Sequence, residues 1–142
     1  MSESDTPECN EAFECMYRDS MAKLLGIEIV AAEPGYAEVR LPVTPKILNG
    51  HDTIHGGALF TLADFASSIA ANRYGQATVA ASGSIFFLKS CNSGVVTAKA
   101  KTVKAGKRMK FQLVEVFTGT GELMATFQGS SITVSSKPSA KS

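Results

Sequence analysis

Apolar residues recur along this chain at two spacings, and the switch between them marks out the elements. Over residues 36–43, Tyr36, Glu38 and Arg40 alternate with Ala37, Val39 and Leu41, the period-two pattern of a half-buried strand. A second strand is predicted over 27–33, with Pro34-Gly35 as the turn between the two. Ahead of it, Phe13, Met16, Tyr17, Met21, Leu24 and Leu25 recur at helical spacing, with Asn10 as a cap and Gly26 as the stop. A longer helix is predicted from Gly56 to about Tyr74, closed by Gly75. Its apolar stripe is Leu59, Leu62, Ala63, Ala66, Ile69 and Ala70, the pattern of a helix laid on a sheet. Four further strands are predicted over 78–88, 95–105, 107–118 and 123–134. Gly94, Gly106 and Thr118-Gly119-Thr120-Gly121 are the expected hairpin turns between them. Helix, two strands, long helix and an antiparallel meander make an α+β domain, one long helix buried by one curved antiparallel sheet of five to six strands.

With 142 residues there is room for one domain with an ordinary core, expected over 9–135. Residues 1–8 and 136–142 are polar and read as disordered tails. A formal charge of +1, with no dense run of Lys and Arg, gives no electrostatic footprint for nucleic acid. No apolar run approaches the ~18 residues of a membrane span, and the acidic start lacks an apolar signal core, so the expected location is the cytoplasm. Cys9, Cys15 and Cys91 are odd in number and lack metal-type spacing, so they read as reduced thiols without a zinc site.

Candidate chemistry is concentrated in one stretch. Asn49-Gly50-His51 leads to His55-Gly56-Gly57, and the helix that follows carries Asp64 among Ala, Leu and Phe. A helix N-terminus offers unpaired N–H groups and a partial positive charge, and glycines let a ligand approach the backbone. Oxyanion-type donors and a carboxylate within a few residues fit acyl transfer at a polarised carbonyl. One geometric point constrains the arrangement. Gly56 and Asp64 lie eight residues apart, roughly 12 Å along the helix at about 1.5 Å per residue. One carbonyl cannot meet both groups of one helix at hydrogen-bond distance, whereas two antiparallel copies solve this. The motif therefore asks for a two-fold dimer with two composite sites.

The run from Asn49 through His55-Gly56-Gly57-Ala58-Leu59-Phe60-Thr61-Leu62-Ala63 to Asp64 resembles that of the hotdog-fold acyl-CoA thioesterases, in the PaaI-like branch typified by the phenylacetate-pathway enzyme. Met21-Ala22-Lys23-Leu24-Leu25-Gly26-Ile27 is similar to that branch's entry helix and first strand. Ser84-Ile85-Phe86-Phe87-Leu88-Lys89 and Lys104-Ala105-Gly106-Lys107 are similar to its later strands and turn, so the likeness covers about residues 12–134. It implies a hotdog subunit in a side-by-side dimer, often a tetramer. It also implies no metal and no bound cofactor, with coenzyme A entering as part of the substrate.

Each site residue carries a functional and a bland reading. Asp64 is the expected base or nucleophile, or else a polar position on a helix face shared with Phe60, Thr61, Ser67 and Ser68. Gly56 is expected to donate its N–H to the thioester oxygen and Gly57 to line the site, unless both simply begin the helix. His55 either supports catalysis or makes a local bond, His51 reads as structural, and Asn49 is a turn former that the resemblance places in the site. Some relatives carry a hydroxyl on the strand after the helix; here the nearest residues are Ala80 and Ser82. Lys89, Lys107 and Arg108 either meet the phosphates of coenzyme A or are exposed strand-end charges. Phe60, Phe65, Tyr74, Phe86 and Phe87 either line an aryl pocket or fill the core. The expected activity is hydrolysis of an aryl-acyl or short- to medium-chain acyl-CoA. The alternatives are a hotdog hydratase or dehydratase using His55 with Asp64, and a non-catalytic acyl-CoA binding module.

Overall fold

The computed structural model describes residues 15–72 and 76–135. Asn10, Phe13, Tyr74, Gly75 and both predicted tails lie outside the described residues. Six strands follow the predicted spans closely: β1 (Glu28–Glu33), β2 (Tyr36–Pro42), β3 (Ala77–Phe87), β4 (Val95–Ala105), β5 (Met109–Phe117) and β6 (Leu123–Ser135). They form one sheet in the order β1-β2-β4-β5-β6-β3, antiparallel throughout.

The entry helix differs from its prediction. The helical turn at residues 15–17 stops, and α1 (Ser20–Leu25) starts afresh with Asp19 as its N-cap. The Asp19 carboxylate accepts the Ala22 N–H at 2.9 Å. A short acidic side chain that captures a nearby backbone donor competes with helix continuation, which apolar spacing does not register. Gly26 ends α1 as expected, at φ 85°, its N–H shared between the Ala22 and Lys23 carbonyls.

A second correction concerns Gly94. It does not turn a β3–β4 hairpin, because β3 pairs only with β6 at the sheet edge, while β4 pairs with β2 and β5. Residues 88–94 cross from that edge to the middle of the sheet, the Cys91 carbonyl taking the Ile54 N–H and that of Gly94 the Val43 N–H, both at 2.8 Å. Alternation within a strand identifies a strand and says nothing of its neighbour. Gly106 does sit in the turn between β4 and β5, and residues 118–122 close the turn between β5 and β6.

The long helix α2 (Gly56–Asn72) lies on one face of the sheet. Its stripe of Leu59, Leu62, Ala63, Ala66, Ile69 and Ala70 is buried against Ala37, Val39 and Leu41 of β2, Val96, Ala98 and Ala100 of β4, and Val114 and Val116 of β5. Alanine on both sides lets helix and sheet approach closely. The direction of α2 is set by its contacts. Gly56 meets Phe87, Phe60 meets Gly83, and the Asn72 side chain takes the Thr78 N–H at 3.0 Å, so α2 runs antiparallel to β3. Only small atoms fit at Gly83: a Cβ there would stand 2.9 Å from the Phe127 ring and 3.2 Å from that of Phe60. The Phe60 and Phe127 rings meet edge to face at 5.3 Å.

Candidate active site

The loop before α2 is tied down by its own backbone. Pro45–Ile47 forms a 3-10 turn, and the Ile47 carbonyl takes the His55 N–H at 2.8 Å. Between them, Asn49 holds a tight turn. Its side-chain oxygen accepts the N–H of His51 at 2.8 Å, the N–H of Thr53 at 3.2 Å and the Thr53 hydroxyl at 3.3 Å. Asp52 takes a left-handed φ of 62° there, a conformation Asp tolerates. The turn-former reading of Asn49 thus holds for its oxygen. Its amide N–H groups have no acceptor among the described residues and are left to donate outward.

His55 caps the helix. Its Nδ1 accepts the Gly57 N–H at 2.8 Å, and its carbonyl accepts the N–H groups of Ala58 at 2.9 Å and Leu59 at 3.2 Å. A ring nitrogen that accepts carries no proton, so in this arrangement Nε2 holds it. In the hydratase alternative, which pairs His55 with Asp64, Nδ1 is not free to take a proton, since its lone pair is held by the Gly57 N–H. These bonds also separate the two glycines. The Gly57 N–H is engaged by His55, whereas the Gly56 N–H has no acceptor among the described residues and is the donor open to a ligand. Both glycines have close neighbours: a Cβ on Gly56 would lie 3.0 Å from the Phe87 ring, and one on Gly57 3.0 Å from His55 Nδ1, so each side chain would have to shift.

Asp64 is half-buried two turns along α2 and has neither hydrogen bond nor ion pair among the described residues. Burial pushes its carboxyl above the usual carboxylate range, and the negative charge of Asp19 adds to the shift. An unpaired, partly desolvated carboxylate is held in a state suited to taking a proton or attacking a carbonyl.

The remaining predicted residues are dispersed. The Ser82 hydroxyl pairs with that of Ser130 at 2.8 Å, on exposed β3 just past a break in register between Ala80 and Ser82. Lys89 follows the end of β3 and reaches Glu122 at 3.6 Å. Lys107 and Arg108 occupy the β4–β5 turn, where the Arg108 carbonyl takes the N–H of Thr133, the partner of Thr78 at the start of β3. From Thr78 to Phe87 the strand spans roughly 30 Å at about 3.3 Å per residue. One subunit therefore does not gather the three cations at one point. Of the aromatics, Phe65 is core, Phe86 faces the outer side of the sheet, Phe87 rests on Gly56 and Phe60 on Gly83, the last two partly exposed. The contact of Phe87 with Gly56 escapes sequence reasoning, since it joins residues 31 positions apart.

Residues 51–125 match the model of the thioesterase superfamily. The chain belongs to that superfamily. Acyl-coenzyme A thioesterase PaaI of Escherichia coli K12 is 40% identical over 114 residues, which cover 80% of this chain and 81% of that one. The solved structure of the E. coli PaaI protein from the phenylacetic acid degradation operon superimposes with a TM-score of 0.84 at 36% identity, covering 89% of this chain and 94% of that one. The 1,4-dihydroxy-2-naphthoyl-CoA hydrolase of Listeria monocytogenes is 32% identical over 107 residues, 73% of this chain and 87% of the relative. The hotdog architecture of this thioesterase, its six-stranded sheet wrapped on one long helix, is as the sequence led us to expect. No helix among the described residues is long and apolar enough to cross a membrane.

Proposed function

We propose that the protein hydrolyses acyl-CoA thioesters, releasing the free acid and coenzyme A, at sites shared between two subunits. The observation that carries this reading is the division of one helix into complementary halves of a site. Its start presents a Gly56 N–H without an acceptor among the described residues, and about 12 Å further on stands a partly desolvated carboxylate without a partner among them. Placing Gly56 of one subunit against Asp64 of the partner subunit puts the two-fold axis level with residue 60, midway between them. Phe60 lies there, against Gly83 of the edge strand β3. Pairing the two β3 edges antiparallel about that level brings the helices into this register and satisfies the exposed edge.

In the composite site the thioester oxygen accepts the Gly56 N–H, aided by the positive end of α2. Asn49 donates its amide N–H to the thioester or to the attacking water, and His55 fixes the helix start. Asp64 of the partner subunit takes a proton from water as that water attacks the carbonyl carbon, or attacks the carbon itself to give a mixed anhydride that water then opens. Either way the C–S bond breaks, and coenzyme A leaves as a thiolate with a reference pKa of about 8.5, needing little acid assistance. We assign no resident metal or redox cofactor, a homodimer assembling further to a tetramer, and a cytoplasmic location. Free-thiol release measured across aryl-acyl and straight-chain acyl-CoA esters tests the reading. Tight acyl-CoA binding without thiol release from any ester overturns it in favour of a binding module, and water addition to an enoyl-CoA in favour of a hydratase.

A further inference from the structure

A groove of about 400 Å³ opens beside the start of α2, between that helix, α1 and the 3-10 turn. Five of the side chains lining it are apolar: Met21 and Leu25 from α1, Ile47 and Leu48 from the turn, and Ala58 from α2. Its other lining residues are Lys46, His55, Gly57 and Thr61. The polar atoms of the last three are largely turned onto the backbone. The Thr61 hydroxyl donates to the Gly57 carbonyl at 2.9 Å, and His55 Nδ1 accepts the Gly57 N–H at 2.8 Å. The wall is therefore mostly apolar; the His55 Nε2–H is left as a donor, and Lys46, an exposed residue, supplies the one formal charge.

Resting on the thioesterase reading, we propose that this groove holds the acyl group and that Met21 and Leu25 set the chain length accepted. A thioester on the Gly56 N–H has two arms. The pantetheine arm carries two amides, which need hydrogen-bond partners when they leave water, and this wall has few donors or acceptors to give them. An acyl chain or aryl ring needs only apolar contact. The groove begins at Gly57, one residue from the donor, so an acyl group enters it directly from the bound carbonyl. Its volume is at the lower end of small-molecule sites, at about 300–1,000 Å³, which fits a medium-length chain or a single aromatic ring. Met21 is 53% exposed, so it can be replaced without opening the core.

The test compares thiol release from acetyl-, octanoyl- and dodecanoyl-CoA by the parent protein, Met21→Trp and Met21→Ala. Filling the groove with Met21→Trp should lower the ratio of kcat/KM for octanoyl-CoA over acetyl-CoA by about tenfold or more, the scale of losing a few methylene contacts. Widening it with Met21→Ala should raise the dodecanoyl-to-octanoyl ratio. An equal fall for all three esters with Met21→Trp means that the groove holds the coenzyme A arm and overturns the assignment. Ratios unchanged in both variants mean that the groove takes no part of the substrate, and overturn it too. Absence of thiol release by the parent from every ester instead overturns the thioesterase reading, and the groove assignment with it.

Discussion

Two sets of polar groups along α2 are treated in opposite ways. In the C-terminal half, Ser67 and Asn72 are buried and paired. The Ser67 hydroxyl donates to Gln112 at 3.2 Å, Gln112 donates to Thr102 at 3.3 Å, and Asn72 bonds both the Ser68 carbonyl, at 2.8 Å, and the Thr78 N–H. Nearer the helix start, the Gly56 N–H and the half-buried Asp64 carboxylate are left without partners among the described residues. An unpaired buried polar group costs stability, about 1–3 kcal/mol. Under the proposed function, the unpaired set is the one that meets the substrate. The proposed site follows this unpaired set and not the size of any hollow. A larger one, of about 630 Å³, lies on the outer face of the sheet among Lys99, Lys101 and Glu115, away from both groups.

That contrast can be broken from either side. The largest effect is expected at Asp64. Asp64→Asn should keep the fold and acyl-CoA binding while kcat falls by about 10²–10⁴-fold or more; a kcat within threefold of the parent on a good substrate removes Asp64 from the chemistry. Complementation gives the next largest signal. Asp64→Asn and Asn49→Ala chains, each nearly inactive alone, should form mixed dimers in which one site inherits both lesions and the other neither. Purified with two different tags, that dimer should recover about half the parental activity; if it is as inactive as either variant, donor and carboxylate act within one chain.

The paired set should respond in stability and not in rate. Gln112→Leu leaves Ser67, Ser131 and Thr102 facing a methyl group and should cost about 1–3 kcal/mol, read as a Tm lower by several degrees with kcat within twofold. A kcat that falls as far as in Asp64→Asn erases the distinction between the two sets. The smallest effect is a shift in pH dependence. In the proposed mechanism Asp64 works as the carboxylate, and burial together with Asp19 raises its pKa, so activity should fall with decreasing pH at a midpoint above the ordinary ~3.9 of aspartate. Asp19→Asn keeps the helix cap but removes the nearby charge, so the midpoint should move down. A midpoint unmoved by this change means that Asp19 does not act on Asp64. The sign for stability follows. A carboxyl whose folded pKa is raised holds its proton more tightly in the native state, so it weakens folding once pH climbs past the unfolded value. At neutral pH, Asp64→Asn should melt no lower than the parent.

Much of this was legible because the physics is local. Alternation over Ala37, Val39 and Leu41 and the stripe through Leu59, Leu62 and Ala66 each report one buried face, and Gly26 reports one left-handed turn. The eight-residue spacing of Gly56 and Asp64 turns directly into a distance. What was not legible is long-range or competitive. No local pattern says that β3 pairs with β6 in preference to β4, or that Phe87 rests on Gly56. The break at Asp19 and the capture of the Gly57 N–H by His55 are contests for one donor, decided by geometry that residue types alone do not specify.

The edge strand β3 has a consequence of another kind. Eleven residues long, with residues 79–84 exposed, it presents a row of backbone donors and acceptors on the side away from β6. Such an edge will zip onto any extended peptide that offers a strand. A freshly made subunit is therefore in a race, and its winner depends on how many identical edges are within reach. Slow synthesis, dilution or a partner chain with a damaged β3 would each lengthen the interval in which the edge meets the wrong strand. Under the proposed dimer, the supply of intact copies sets how long each edge stays open.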